Sequence, residues 1–156
     1  MLYFAYGSNM DWAQMRSRCP SAEFNGTACL FDYRLAFTRF STNRGCGVAD
    51  AVSATGNEVW GVIYKINDHD LESLDRSEGY TVGGANNAYE RCTTTVFIDG
   101  NINKPMQVDI YFANAQEQPP LPNQTYKELI VNGATYWNLP QNYIEKVLNP
   151  IKVLNE

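Results

Sequence analysis

The chain has 156 residues, of which 44% are hydrophobic and 19% charged, with 12 basic against 17 acidic side chains. This composition is typical of one folded domain (1–156) with a substantial core, and it excludes a disordered chain. The formal charge of −5 argues against a nucleic-acid-binding protein, and the single histidine, His69, restricts any Ser–His or Cys–His pair to one residue.

The N-terminal part of the chain predicts short strands joined by turns. The apolar run 2–6 predicts a buried strand, and Asp11 predicts the start of a helix that ends before Pro20. Aromatic and β-branched residues then predict three further short strands, over 27–31, 34–39 and 48–52.

A clearer strand is predicted over 58–66, where side chains alternate between two faces. Gly61 in the middle of this strand predicts that another group approaches it closely. A helix over 68–78 follows, with Asn67 or Asp68 as its cap and Gly79 as its stop.

The C-terminal half predicts one hairpin and two helices. A flexible loop comes first, and a proline-containing extended connector separates the hairpin from the helices. The ranges are 79–88 for the loop, 91–98 and 106–112 for the hairpin strands, 116–123 for the connector, and 126–134 and 141–147 for the helices. A strand-rich centre with a few short helices predicts an α+β fold.

The four cysteines are scattered without a Cys-x-x-Cys pair, so we expect free thiols in a cytoplasmic protein. The N-terminus lacks the basic segment of a signal peptide. No apolar run approaches the roughly 20 residues of a membrane span, so no membrane partner is expected.

The predicted helix over 68–78 carries a net charge of −4 out of the chain's −5. Leu71 and Leu74 mark its buried stripe, and the helical period places Glu78 on the same stripe. Burial and the helix C-terminus both disfavour a negative charge, so both raise the pKa of this carboxyl. Glu78 is therefore a candidate general acid–base; the alternative is a frayed helix end at which Glu78 reaches solvent.

The other four acids of this helix are interpreted as caps or solvent-facing groups, with Asp68 and Asp70 as caps and dipole partners. His69 is interpreted as a surface imidazole. The sequence Asp68-His69-Asp70 points neighbouring side chains to different helical faces, so no metal site is predicted.

Two further sites are candidates for ligand binding. Tyr6-Gly7-Ser8-Asn9 follows the first strand, and consecutive N–H groups in such a turn bind anions; an ordinary strand–turn–helix connection is the alternative. Tyr126 shares a helical face with Ile130, so it points inward as a pocket residue or as a core tyrosine with a satisfied hydroxyl.

These segments resemble the γ-glutamylcyclotransferase family in the same order along the chain. Residues 2–10, Leu-Tyr-Phe-Ala-Tyr-Gly-Ser-Asn-Met, resemble its N-terminal signature. Residues 58–62 and 74–79 resemble its strand and its catalytic-glutamate segment, and 119–134 resembles its C-terminal part. The resemblance covers nearly the whole chain.

The resemblance implies a mixed β-barrel-like fold flanked by short helices, without a cofactor, in a family whose members often form homodimers. The implied substrate is a small molecule, a γ-glutamyl amino acid that is converted to 5-oxoproline and a free amino acid. Glu78 takes the place of the catalytic glutamate. The implied substrate-binding residues are Tyr3, Phe4, Ala5, Tyr6, Gly7, Ser8, Asn9 and Tyr126.

Two alternatives stay open. Tyr89-Glu90-Arg91 resembles the Tyr-x-Arg of γ-glutamylamine cyclotransferases, which leaves the amine half of the substrate undecided. A non-catalytic small-molecule-binding protein of the same fold is the other alternative. A buried Glu78 weighs against it, because a binding protein gains nothing from an unfavourably placed carboxylate.

Overall fold

The protein is a five-stranded closed barrel flanked by helices, seen in a computed structural model that describes residues 1–155. The strands are β1 (Leu2–Ala5), β2 (Glu23–Ser41), β3 (Cys46–Lys65), β4 (Tyr89–Ile98) and β5 (Pro105–Ala113). The helices are α1 (Trp12–Arg18), α2 (Asp68–Ser77), α3 (Gln124–Tyr136) and α4 (Gln141–Tyr143), which continues as a π-helical turn over Ile144–Leu148. A 3₁₀ turn, Ser8–Met10, links β1 to α1.

The strand order around the barrel is β1-β3-β2-β4-β5. All neighbouring strands are antiparallel except β1 and β5, which close the barrel as a parallel pair with Tyr3 opposite Asp109. This mixed barrel confirms the predicted α+β fold. Within residues 1–155, no helix combines the length and apolarity needed to cross a membrane.

The short strand predicted over 2–6 is confirmed as β1, but the prediction of four separate strands between residues 27 and 66 was wrong. The predicted strands at 27–31 and 34–39 are one strand, β2, and those at 48–52 and 58–66 are one strand, β3. The register shifts between Phe31 and Tyr33, where Asp32 has φ of +66° and its carboxylate accepts a hydrogen bond from the Gly56 N–H at 3.0 Å. A bulge of this kind bends a strand without ending it, so its residues look like turn residues in the sequence.

The predicted hairpin and the helix at 68–78 are confirmed. Helix α2 begins after Asn67, whose side chain accepts a hydrogen bond from the Asp70 N–H, and Gly79 ends it with φ of +65°. Gly61 is required where β3 crosses β1, because a Cβ there would lie 2.4 Å from the Ala5 carbonyl oxygen. The resulting packing holds β1, and therefore the loop that follows it, against the barrel.

Candidate active site

One end of the barrel contains a small inner pocket of about 40 Å³, which adjoins an outer cleft of about 370 Å³. The two share Ser8, Glu78, Tyr89 and Tyr126. The lining of the inner pocket is mostly aromatic hydroxyls and loop backbone: Tyr3, Tyr6, Gly7, Ser8, Asn9, Ala49, Glu78, Tyr89, Tyr111 and Tyr126.

The loop after β1 brings its side chains to this pocket through a short local fold. Ser8–Met10 forms the 3₁₀ turn, and Asp11 then caps α1 by accepting a hydrogen bond from the Gln14 N–H at 3.0 Å. The N–H groups of Gly7, Ser8 and Asn9 donate to no backbone carbonyl within residues 1–155. Three residues of the pocket lining therefore have backbone N–H groups without a backbone acceptor, and their role as an anion-binding turn stays a prediction.

Glu78 lies at the other side of the pocket, at the C-terminal cap of α2. Its side chain is 16% exposed, and its Oε1 accepts a hydrogen bond from Asn9 Nδ2 at 3.0 Å. Burial raises the pKa of Glu78 above its ordinary value, although the nearby Arg18 and the Asn9 hydrogen bond oppose this shift. The helix ends at Ser77, as the frayed-end alternative supposed, but the Glu78 side chain is largely enclosed by the pocket and does not extend into open solvent.

The pocket tyrosines fall into two groups: those whose hydroxyls donate a hydrogen bond to the protein and those whose hydroxyl oxygens accept one. The hydroxyls of Tyr6, Tyr89 and Tyr111 donate to the Tyr111 carbonyl, the Ala49 carbonyl and the Asp75 carboxylate, respectively. By contrast, the Tyr3 oxygen accepts from Asn9 Nδ2, and the Tyr126 oxygen accepts from the Ala49 N–H, each at 3.0 Å.

The acceptor role of Tyr3 and Tyr126 leaves their own O–H protons free to point elsewhere. The Tyr3 hydroxyl donates to no other group within residues 1–155, whereas the Tyr126 hydroxyl also interacts with the Ser8 side chain, another residue of the pocket. Desolvation raises the pKa of Tyr3 well above its ordinary value and that of Tyr126 to about 12, so both remain protonated at neutral pH. They are therefore available as hydrogen-bond donors to a ligand in the pocket.

The structure does not bring two of the predicted binding residues to the pocket. Phe4 is fully buried, and Ala5 is 1% exposed; neither lines the inner pocket or the outer cleft. Phe4 packs near the Tyr6 ring. The Ala5 carbonyl and the Phe4 ring occupy the space that a Cβ at Gly61 would need. A contiguous sequence motif contains residues that hold the strand in place as well as residues that line the pocket, and Phe4 and Ala5 are of the first kind.

Three lining residues were not singled out from the sequence as pocket residues: Ala49, Tyr89 and Tyr111. Ala49 and Tyr111 lie on β3 and β5, far along the chain from the loop after β1. The Tyr-x-Arg pattern did mark Tyr89. Its companion Arg91 lies outside the pocket lining and contacts Asp75 at 3.2 Å, so it supports the partner of Tyr111.

Two acids of α2 do not have the predicted cap or solvent-facing role. Asp70 is 6% exposed, and its carboxylate accepts the Ser21 N–H at 2.7 Å, while Asn67 provides the cap. Asp75 contacts Tyr111 and Arg91. Their partners come from other elements, so helical periodicity alone did not reveal them. His69 is exposed, as predicted.

The outer cleft is rich in positive charge although the chain as a whole is acidic. Four of the 12 basic residues line it, and the one acidic residue in its lining is Glu78. The four are Arg18, Arg39, Arg44 and Arg76.

Within residues 1–155, no group of three or more His, Cys, Asp or Glu side chains is arranged to hold a metal ion.

The chain is similar to known proteins over nearly its full length. The family model of the AIG2-like family matches residues 58–147. A γ-glutamylcyclotransferase from Mus musculus is 35% identical over 150 residues, covering 94% of this chain and 76% of the relative. One from Bos taurus is 36% identical over 156 residues, covering 97% of this chain and 78% of the relative.

Solved structures are similar to this chain as well. A structure described as a γ-glutamyl cyclotransferase superposes with a TM-score of 0.87 at 33% identity, over 99% of this chain and 89% of that chain. An AIG2-like protein from Mus musculus, at 17% identity and a TM-score of 0.55 over 75% of this chain and 79% of that chain, shares the fold alone. With its sequence and fold both matched at this level, the chain belongs to the γ-glutamylcyclotransferase family.

Proposed function

We propose that this protein converts γ-glutamyl amino acids into 5-oxoproline and the free amino acid. The observation that carries the proposal is the carboxyl of Glu78, which is desolvated beside a pocket lined with hydrogen-bond donors. A carboxyl whose pKa is raised toward neutrality both accepts and returns a proton readily at physiological pH.

The reaction requires no nucleophile from the protein. The α-amine of the substrate attacks its own γ-carbonyl carbon; one C–N bond forms to close a five-membered ring, and the original amide C–N bond breaks. The substrate enters with an ammonium group and the free amino acid leaves with one, so two protons pass from the α-nitrogen to the leaving nitrogen and none is consumed. Glu78 accepts the first of these protons and then delivers a proton to the leaving nitrogen.

The predicted site residues that line the pocket bind and orient the substrate in this scheme. The N–H groups of Gly7, Ser8 and Asn9 and the hydroxyls of Tyr3 and Tyr126 donate hydrogen bonds to the substrate carboxylate and to the oxyanion that develops at the γ-carbonyl. Tyr6 closes the side of the pocket. Holding the substrate folded, with its amine against its own carbonyl, removes much of the entropic barrier to ring closure.

The charge of the outer cleft favours an amino acid over an amine as the leaving half. A γ-glutamyl amino acid carries a second carboxylate on that half, whereas the γ-glutamyl derivative of a simple amine carries none. Arg39 and Arg76 line the cleft and form no salt bridge with a carboxylate within residues 1–155. They would therefore attract the second carboxylate. A cytoplasmic location and a homodimer remain predictions.

The test is to incubate the protein with matched amides and to measure 5-oxoproline. γ-Glutamyl-alanine is the substrate, γ-glutamyl-methylamine lacks the second carboxylate, and α-glutamyl-alanine is the control because its linkage places no γ-carbonyl in the scissile bond. We expect 5-oxoproline from γ-glutamyl-alanine, less from the methylamine and none from the α-linked peptide. If neither γ-amide released 5-oxoproline, the proposal would be refuted. Binding of a γ-amide without turnover would identify a non-catalytic binding protein.

A further inference from the structure

A hydrogen-bonded chain of four side chains extends from the outer cleft to Glu78. Arg44 Nη2 donates to Gln14 Oε1 at 2.6 Å, and Gln14 Nε2 donates to Asn9 Oδ1 at 2.9 Å. Arg18 Nη1 also donates to Asn9 Oδ1 at 2.9 Å. Asn9 Nδ2 completes the chain by donating to Glu78 Oε1 at 3.0 Å.

The amide of Asn9 makes all four hydrogen bonds available to it. Its oxygen accepts from Gln14 and Arg18, and its nitrogen donates to Tyr3 and Glu78. Asn9 is only 3% exposed, so water does not replace a missing partner easily. Loss of either donor leaves the buried Asn9 oxygen with one hydrogen bond in place of two and the amide less constrained.

The two arginines decide which way the amides face. An Asn or Gln side chain has an oxygen end and a nitrogen end of nearly equal shape, whereas a guanidinium can only donate. Arg18 therefore requires the oxygen of Asn9 on its side, which places the Asn9 nitrogen against Tyr3 and Glu78. Arg44 likewise requires the oxygen of Gln14 on its side, which places the Gln14 nitrogen against Asn9 and Ser8.

We infer that Gln14 and Arg18 are positioning residues that act on Glu78 and Tyr3 through the amide of Asn9. They hold one carboxylate oxygen of Glu78 in place, while Oε2 accepts no hydrogen bond within residues 1–155 and is the oxygen that takes the substrate proton. They also keep the Tyr3 oxygen in an acceptor role, which directs its O–H proton toward the pocket. The inference rests on the proposed cyclotransferase reaction.

Gln14 is the better residue to test, because it is neutral and makes no hydrogen bond with Glu78. Loss of the Asn9 hydrogen bond raises the pKa of Glu78 further, since that bond stabilises the carboxylate. The other charged or titratable groups that face Glu78 are Arg18 on α1, Arg44 between β2 and β3, Asp75 on α2, and the pocket tyrosines on β1, β4, β5 and α3. Of these groups, a Gln14 variant alters the contacts of Arg44 alone, which loses Gln14 Oε1 as an acceptor.

The experiment compares Gln14→Met with Gln124→Met, in which an exposed glutamine that contacts Glu128 is changed instead. Methionine fills the volume of the Gln14 side chain without donating a hydrogen bond. For Gln14→Met we expect kcat to fall roughly 10- to 100-fold, because misplacement by 1 Å can cost about 100-fold. KM should change by less than about twofold, and the acidic limb of the kcat/KM profile should move to higher pH.

Gln14→Lys tests the donor alone, because its ammonium donates to the Asn9 oxygen but offers Arg44 no acceptor. Its kcat should exceed that of Gln14→Met, and the acidic limb should not move up. Should Gln14→Met fail to fold by circular dichroism, Gln14→Ala, which suits a helix, is expected to change kcat in the same direction. Wild-type kcat and an unshifted profile in the folded Met or Ala variant would overturn the inference. Release of 5-oxoproline by the wild-type protein in the same assay would leave the proposed function intact.

Discussion

The two ends of helix α2 hold carboxylates in opposite electrostatic situations. Near the N-terminus, Asp70 is hydrogen-bonded by Ser21, and these bonds lower the pKa of its carboxyl. At the C-terminus, Glu78 is desolvated by the pocket, and its pKa is raised. One short helix therefore separates an acid that stabilises the fold from an acid that destabilises it and is available for proton transfer.

The largest effect is expected from removing the charge at the C-terminal end. Glu78→Gln should lower 5-oxoproline formation about 100- to 10,000-fold, because the amide cannot accept the ammonium proton. Glu72→Gln, at an exposed position on the same helix, is the matched control and should keep full activity. Substantial turnover by Glu78→Gln would place the base elsewhere.

The same substitution should make the protein more stable at neutral pH. Because folding raises the pKa of Glu78, the protonated form favours folding, and this contribution is lost as the pH rises through the raised pKa. Glutamine stays neutral, so Glu78→Gln should melt at a higher temperature than the wild type at pH 7. The difference should shrink as the pH falls and disappear below about pH 3, where Glu78 is protonated in both states. A lower melting temperature at pH 7 would contradict this assignment.

A smaller loss is expected from disturbing the loop that faces Glu78. A Cβ at Gly133 on α3 would lie 2.3 Å from the Met10 carbonyl carbon and 2.6 Å from the Asp11 nitrogen. Gly133→Ala must therefore displace the turn that carries Asn9. We expect a loss of about 1–3 kcal/mol in the free energy of unfolding and a lower kcat. An unchanged kcat would show that the position of the turn is not critical.

At the N-terminal end of α2, a substitution of Asp70 should lower the stability of the fold without lowering kcat. Asp70→Ala leaves the Ser21 N–H without its acceptor, and we expect the free energy of unfolding to fall by roughly 1–2 kcal/mol in urea denaturation. The folded variant should keep wild-type kcat. A large loss of kcat would mean that the two ends of the helix are coupled and that Asp70 does more than stabilise the fold.

The smallest effect is expected at His69, which lies between Asp68 and Asp70 and is exposed. His69→Ala should leave kcat, KM and the melting temperature within experimental error of the wild type. A tenfold loss of activity would assign the single histidine a function that neither its exposure nor its position supports.

Local patterns in the sequence were sufficient to predict helix α2 and the inward position of Glu78. Helical spacing from Leu71 and Leu74 placed this acid on the buried side, and Gly79 marked the end of the helix. The partners of Asp70 and Asp75 could not be predicted in the same way. Ser21 and Tyr111 lie 49 and 36 residues away along the chain, and only the closed barrel brings them together.

The same limit explains what was missed in the strands and in the pocket. Asp32 is a residue type typical of turns, yet it lies within β2, because the pairing with β3 shifts register there and resumes at Tyr33. The role of Gln14 follows from the orientation of two amides, which is a property of the folded site. The resemblance identified the motif around Asn9 but did not separate Phe4 and Ala5, which hold the strand, from Tyr3, which lines the pocket.

The most direct test of Glu78 as the proton carrier is a carbon-13 NMR titration of its side-chain carboxyl in the wild-type protein, with Glu78→Gln used to assign the signal. We predict a midpoint above the ordinary glutamate value of about 4.3, coincident with the acidic limb of kcat/KM for γ-glutamyl-alanine. A midpoint at or below that value, or an acidic limb at a different pH, would contradict the assignment of Glu78 as the group that moves the proton.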